Sequence, residues 1–218
     1  MSEGMLITKN NESTELPYVN DSTIYNFNSI AWQMVRPSFL FFLNMMMPRY
    51  YSPTAEPMEV NIAEVGVAGG LNSMLMLKAW DKPILHMVDS WAMGQTEESA
   101  LKLTSAYADR VKLVKMDSVT ASKEYPDNFF DYIYIDADHG YESVYADLKA
   151  WYPKLKQGGM FAGHDWWYPE VRKALQDWYN DEQIGQKIFG IHCYSDESVK
   201  PTYKDEDNQA CDWWMIKR

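Results

Sequence analysis

The chain has 218 residues, enough for one domain with a sizeable core, and 15% of them are aromatic, including nine Trp and fifteen Tyr, which argues against disorder. Its net charge of −11 disfavours a surface built to neutralise phosphates, so no nucleic-acid partner is expected. The stretch MSEGMLITKNNESTEL has no basic start followed by an apolar run, and the most apolar segment, 38–47, is half of the roughly 20 residues a spanning helix needs. No membrane partner and a cytoplasmic location are therefore expected.

In chain order, residues 1–17 are polar and aperiodic and read as a loose arm. Residues 22–47 have a mostly helical pattern rich in aromatic and Met side chains. The run 39–47 reads as plain core by default, with a cap over the active site or a homo-oligomer interface as alternatives. Prolines 53 and 57 mark a connector into the main fold. Five apolar strand-like runs follow, at 60–66, 84–89, 111–117, 131–136 and 158–165, with helical patterns between them. Val144, Leu148, Trp151 and Leu155 fall on one helix face, and Val171, Leu175 and Trp178 repeat that spacing. This alternation specifies a mostly parallel sheet with helices on both faces. The tail changes character: KIFGIHCYS and CDWWMIKR are joined by a polar stretch without a helix, and are expected to pair antiparallel. Cys193 and Cys211 have no metal-type spacing and read as reduced thiols.

In an open α/β sheet, ligands bind beyond the carboxyl ends of the strands. All five strand ends carry an acid: Glu64, Asp89, Asp117, Asp136 and Asp165. After the first, Gly66, Gly69 and Gly70 allow a tight turn and close approach to a ligand. Counting from Gly66, a dinucleotide fingerprint fails at Leu71, and no Lys of a triphosphate loop is present. The loop suits a nucleoside without a phosphate chain. Asp89, 23 residues beyond Gly66, is placed to accept hydrogen bonds from both hydroxyls of a ribose.

From here the sequence resembles the class I S-adenosylmethionine-dependent methyltransferases, over roughly residues 60–218. The family's acid-x-Gly-x-x-x-Gly motif stands as Glu64 to Gly70, its ribose acid corresponds to Asp89, and its adenine-side polar pair to Asp117 and Ser118. The resemblance implies a Rossmann-like, seven-stranded, mostly parallel sheet with an antiparallel last strand, an N-terminal helical extension over 1–57 and the methyltransferase domain over 58–218. It implies a cofactor site that also includes Ala68, Gly70, Ser90, Trp91 and Asp136.

A narrower likeness, over YIDADHGYESVYADLKAWYPKLKQGGMFAGHDW, is to the metal-dependent O-methyltransferases related to macrocin and mycinamicin O-methyltransferases and, more distantly, catechol O-methyltransferase. By that resemblance Asp136, His164 and Asp165 hold a divalent metal, Mg²⁺ first, and His139 is the base acting beside Asp136. His164 departs from the pattern, since Mg²⁺ prefers oxygen ligands. Asp138 reads as a helix cap. The pairs Trp166-Trp167 and Trp213-Trp214 read as packing. The implied function is methyl transfer from S-adenosylmethionine to a hydroxyl of a small molecule, a sugar, glycoside or phenol. A non-catalytic S-adenosylmethionine-binding module, or a hydrolase or lyase acting on a nucleoside, is the alternative.

Overall fold

The strands at the centre of the sheet, 61–65 and 130–135, are buried along their whole length, because both faces of the sheet are covered there. The computed structural model describes residues 5–7, 36–50, 59–92, 94, 96–185, 188–192 and 210–218. Eight strands, β1 (Met5–Ile7), β2 (Asn61–Val65), β3 (Ile84–Asp89), β4 (Val111–Lys115), β5 (Phe130–Ile135), β6 (Leu155–Gly163), β7 (Ile188–His192) and β8 (Ala210–Ile216), lie in the order β1-β7-β8-β6-β5-β2-β3-β4. Strands β2 to β6 are mutually parallel, while β8 runs antiparallel to both β6 and β7.

The sheet has eight strands where the sequence predicts seven, and part of the expected loose arm is a strand. Met5–Ile7 pairs antiparallel with β7. An open sheet edge presents unpaired N–H and C=O groups that a short apolar segment can satisfy, and three residues are too few to show a period in sequence. The rest of the arm, the helical pattern before Arg36, the polar stretch before β8 and Cys193 lie outside the described residues.

The helices are α1 (Pro37–Tyr50), α2 (Leu71–Ala79), α3 (Thr96–Thr104), α4 (Ser118–Ser122), α5 (Tyr141–Trp151) and α6 (Pro169–Asp181). Strand alternation divides them between two cores. Ile62, Leu85, Met87, Tyr132, Met160 and Trp214 face α1, α2 and α3. Ala63, Val65, Val88, Ile133, Phe161 and Met215 face the other way, onto Val144, Leu148 and Trp151 of α5 and Val171, Leu175 and Trp178 of α6. Among the described residues no helix is long and apolar enough to cross a membrane.

Helix α1 contributes core rather than covering: Phe39, Phe42, Leu43 and Met46 are buried, and the Phe39 and Phe42 rings lie 5.3 and 5.0 Å from Tyr132. Pro37 suits the first helical position, where an N–H has no partner within the helix. The next free N–H, of Ser38, donates to Asp212 Oδ2 at 3.2 Å, and the Ser38 hydroxyl donates to the same oxygen at 2.7 Å. Tyr134 donates to Asp212 Oδ1 at 2.9 Å, and the Ser38 and Tyr132 hydroxyls are 3.0 Å apart. A fully buried carboxylate on β8 thus caps α1 from across the core.

Ser38→Ala removes the hydroxyl donor from this buried acid and should destabilise the fold by about 1–3 kcal/mol. Denaturant unfolding checks it: an unchanged midpoint would mean that Phe39 and Phe42 dock α1 without help from Asp212.

Candidate active site

The polar strand ends gather where β2 and β5 meet, the point at which the order of parallel strands reverses. There the turns after the two strands lie backbone on backbone: the Asp136 N–H donates to the Val65 carbonyl at 2.7 Å. Gly66 has φ +92°, and a Cβ on it would sit 2.1 Å from the Asp136 carbonyl oxygen. No other residue fits that turn. Gly70, at φ +81°, enters α2, and a Cβ on it would sit 2.6 Å from Ala100 Cα, so its lack of a side chain lets α3 pack against the loop.

Glu64 is buried beneath this loop and accepts hydrogen bonds from Asn72 Nδ2 at 2.8 Å and from the Ser73 hydroxyl. Burial pushes its carboxyl up to about 8 against the pull of those two donors, with the Asp136 charge adding to the rise.

Asp89 builds the loop it was expected to serve. Its Oδ2 accepts the N–H groups of Val67 and Ala68, both at 2.9 Å, and its Oδ1 accepts the N–H of Trp91 at 2.7 Å. A carboxylate has about four acceptor positions, so one, on Oδ1, remains for a ribose hydroxyl. The Trp91 indole N–H closes the arrangement onto the Ala68 carbonyl at 3.0 Å. Ala68 and Trp91 both adopt left-handed backbone, a strained state for non-glycine residues that concentrates at functional loops. Ser90 is exposed, and its hydroxyl accepts the Ala92 N–H at 3.3 Å.

Asp117 and Ser118 are engaged in starting α4. Asp117 caps it, accepting the Thr120 N–H at 3.0 Å, while the Ser118 hydroxyl donates to Asp147 of α5, whose carboxyl burial pushes up to about 6. Asp138 likewise serves α5, accepting the Gly140 N–H at 2.8 Å and the Ser143 hydroxyl at 3.1 Å.

The remaining acids, with two histidines and an arginine, form one cluster at the ends of β5 and β6. His139 Nε2 is 2.7 Å from Asp165 Oδ2, and His164 Nδ1 is 3.1 Å from Asp165 Oδ1 and 3.6 Å from Asp136 Oδ1. Arg36, entering α1, places Nη2 3.6 Å from Asp136 Oδ2 and Nη1 2.8 Å from His164 Nε2. Burial raises the Asp136 carboxyl above the ordinary carboxylate range even with His164 and Arg36 nearby, and the Asp165 charge adds to the rise. At Asp165 burial also acts upward, but the His164 hydrogen bond and the two imidazoles hold the carboxyl below that range. Asp165 too has left-handed backbone, at φ 55°.

The chemistry of the partners assigns the protons. A guanidinium only donates, so His164 Nε2 accepts and its Nδ1 carries the hydrogen directed at Asp165. His139, which is exposed, directs its Nε2 at Asp165 Oδ2. The donor atoms that converge are one each from Asp136, His139 and Asp165, all within 4.8 Å of one another. Two carboxylates with like charge in a partly buried position, plus an imidazole, suit a divalent cation such as Mn²⁺ or Mg²⁺. His139 is the imidazole of that group, while His164 lies against the same two acids through its Nδ1. Trp213 of β8 lies over Gly163 and lines the same cleft, with Val144 and Val171.

Sequence reasoning did not find Arg36, which lies 100 residues from its partner Asp136 and belongs to no motif. Nor did it find Asn72 and Ser73, although both follow the Gly-Gly turn at helix-entry positions. Trp167 and Tyr168 are exposed beside the cluster, with the Tyr168 ring 5.7 Å from that of His139, whereas Trp166, Trp213 and Trp214 are packing residues.

Residues 63–166 match the model of a methyltransferase domain family. The chain is 23% identical over 189 residues to an uncharacterized protein, R132, of Acanthamoeba polyphaga mimivirus, covering 78% of this chain and 86% of that one. Among solved structures it is similar to the cofactor-bound Rv0187 from MTB (TM-score 0.59, 14% identity, 91% of this chain and 94% of the other). It is also similar to the SAM-dependent O-methyltransferase TM0748 from Thermotoga maritima (TM-score 0.54, 16% identity, 85% of this chain and 66% of the other). The fold is thus shared with solved structures that include a SAM-dependent O-methyltransferase, and the methyltransferase-domain match falls on the segment that carries the site.

Two outcomes follow for the loop after β2. Gly66→Ala should abolish cofactor binding and lower Tm, because the added methyl meets Asp136 backbone that cannot move aside; retained cofactor binding by calorimetry would refute the close approach. Because the folded-state pKa of Glu64 is raised from 4.5 to about 8, its contribution to stability is complete below pH 4.5 and is lost as pH rises through 8. Glu64→Gln should flatten the fall in Tm over that interval, and an unchanged slope would show that Glu64 is ionised in the fold.

Proposed function

We propose that the chain is an S-adenosylmethionine-dependent O-methyltransferase that acts on a small-molecule hydroxyl with the help of a divalent metal. The observation that carries this reading is the convergence of Asp136, His139 and Asp165 immediately beside the Gly66 turn. A module that only bound the cofactor would have no use for that cluster.

The reaction asks little of an acid catalyst, since the sulfonium leaves as a neutral thioether. A C–S bond breaks, a C–O bond forms, and the hydroxyl proton must go to a base. His139 Nδ1 is that base: Asp165 holds the imidazole by its Nε2–H and stabilises the imidazolium that results. Asp136 and Asp165 would hold the metal, which when bound lowers the pKa of a nearby hydroxyl and fixes its position. The Gly66 and Gly70 turns and the Asp89 loop present the cofactor, so that methyl and oxygen are aligned before reaction. The exposed faces of Trp167 and Tyr168 beside His139 suit the ring of a sugar, glycoside or phenol.

Calorimetric titration of EDTA-stripped protein with S-adenosylmethionine, repeated with Mn²⁺ or Mg²⁺ and a panel of sugar and catechol acceptors, tests the reading. Cofactor binding with an acceptor heat that requires metal is expected; no cofactor binding under any condition would remove the proposal. With an acceptor in hand, His139→Ala should lower turnover by about 10²-fold or more with cofactor affinity retained. Undiminished methylation would exclude His139 as the base.

A further inference from the structure

Arg36 already supplies a positive charge to the place where a metal would sit. Its guanidinium spans Asp136 Oδ2 and His164 Nε2, its side chain is only 26% exposed, and His164 in turn donates to Asp165. One cation therefore ties both acids into the cluster, one directly and one through an imidazole. A divalent cation held by Asp136 and Asp165 would lie against the same guanidinium, in a partly buried setting where like charges repel strongly.

The backbone of Arg36 is held independently of its guanidinium. The Arg36 carbonyl accepts the N–H groups of Phe39 at 3.0 Å and Leu40 at 3.2 Å, and Ser38 is pinned to Asp212. The side chain can consequently leave the cluster by rotation about its own bonds, with α1 remaining docked. Its departure also frees the Nε2 lone pair of His164, which the guanidinium otherwise occupies.

We infer that Arg36 is a built-in competitor for the metal: guanidinium and divalent cation are alternative occupants of the Asp136–Asp165 cluster, and loading the site displaces Arg36 from Asp136. The inference rests on the metal-assisted reading above and adds to it a residue that sets metal affinity. Arg36 acts on the ligands rather than on the reacting atoms, and so it is a positioning residue.

The test is calorimetric titration of the full-length, EDTA-stripped protein with MnCl₂, comparing wild type, Arg36→Gln and Arg36→Lys. Arg36→Gln should bind Mn²⁺ about tenfold tighter, with Arg36→Lys in between because an ammonium cannot bridge Asp136 and His164 as a planar fork does. By linkage, metal-free Arg36→Gln should melt below wild type, and the gap should shrink at saturating Mn²⁺. If Arg36→Gln does not fold, a tighter Arg36→Lys carries the same conclusion. Wild-type binding of Mn²⁺ with equal or weaker binding by the variants would overturn the competition while leaving the metal-assisted reading intact. Absence of Mn²⁺ binding in wild type and variants alike would remove both.

Discussion

Two carboxylates that end adjacent parallel strands cannot both be charged and partly buried without compensation, and much of this structure is arranged around that constraint. Asp136 and Asp165 draw in His139 from the loop after β5, His164 from the end of β6 and Arg36 from the start of α1. Each compensating group comes from a different part of the chain, so the cluster exists only when β5, β6 and α1 are assembled together. The opposite trends at the two acids follow from their partners. Asp165 has two imidazoles at hydrogen-bond distance, while Arg36 and His164 stand 3.6 Å from Asp136.

The same logic of buried acid and donor recurs below the site. Asp212 accepts from Ser38 and Tyr134 in the core and fixes the N-terminus of α1, two residues after Arg36. Glu64 accepts from Asn72 and Ser73 and ties the start of α2 to β2. Asp89 and Asp117 use their carboxylates on backbone N–H groups of their own loops. The acids that mark the strand ends are therefore structural: they shape the cleft through the loops and helix starts they hold. In an acidic chain this has a physical reason, since a loop that must leave N–H groups near a ligand needs an internal acceptor to hold its shape.

Much of this was legible in the linear sequence. Glu64, Asp89, Asp117, Asp136 and Asp165 announce themselves because each follows an apolar strand-forming run, and the Val144-Leu148-Trp151 and Val171-Leu175-Trp178 spacings locate the buried faces of α5 and α6 correctly. The illegible parts are those set by distance along the chain. Arg36 meets Asp136 and His164 only because α1 packs on Tyr132, and β1 is read as an arm because three residues cannot display a period. Which ring nitrogen of each site histidine faces a donor and which a carboxylate was also beyond reach.

What the sequence by itself determined is the alternation of short apolar strands with amphipathic helices, the glycines at the first turn and an acid at every strand end. These are local properties, written in periodicity and in residues whose conformational limits do not depend on neighbours. What only the tertiary structure decided is which groups meet: the contact of Gly66 with Asp136, the gathering of His139 and His164 beside the two acids, and the arrival of Arg36 among them. Electrostatic and hydrogen-bond partnerships act over a few ångströms in space, and crossing connections bring together residues that sequence spacing keeps far apart.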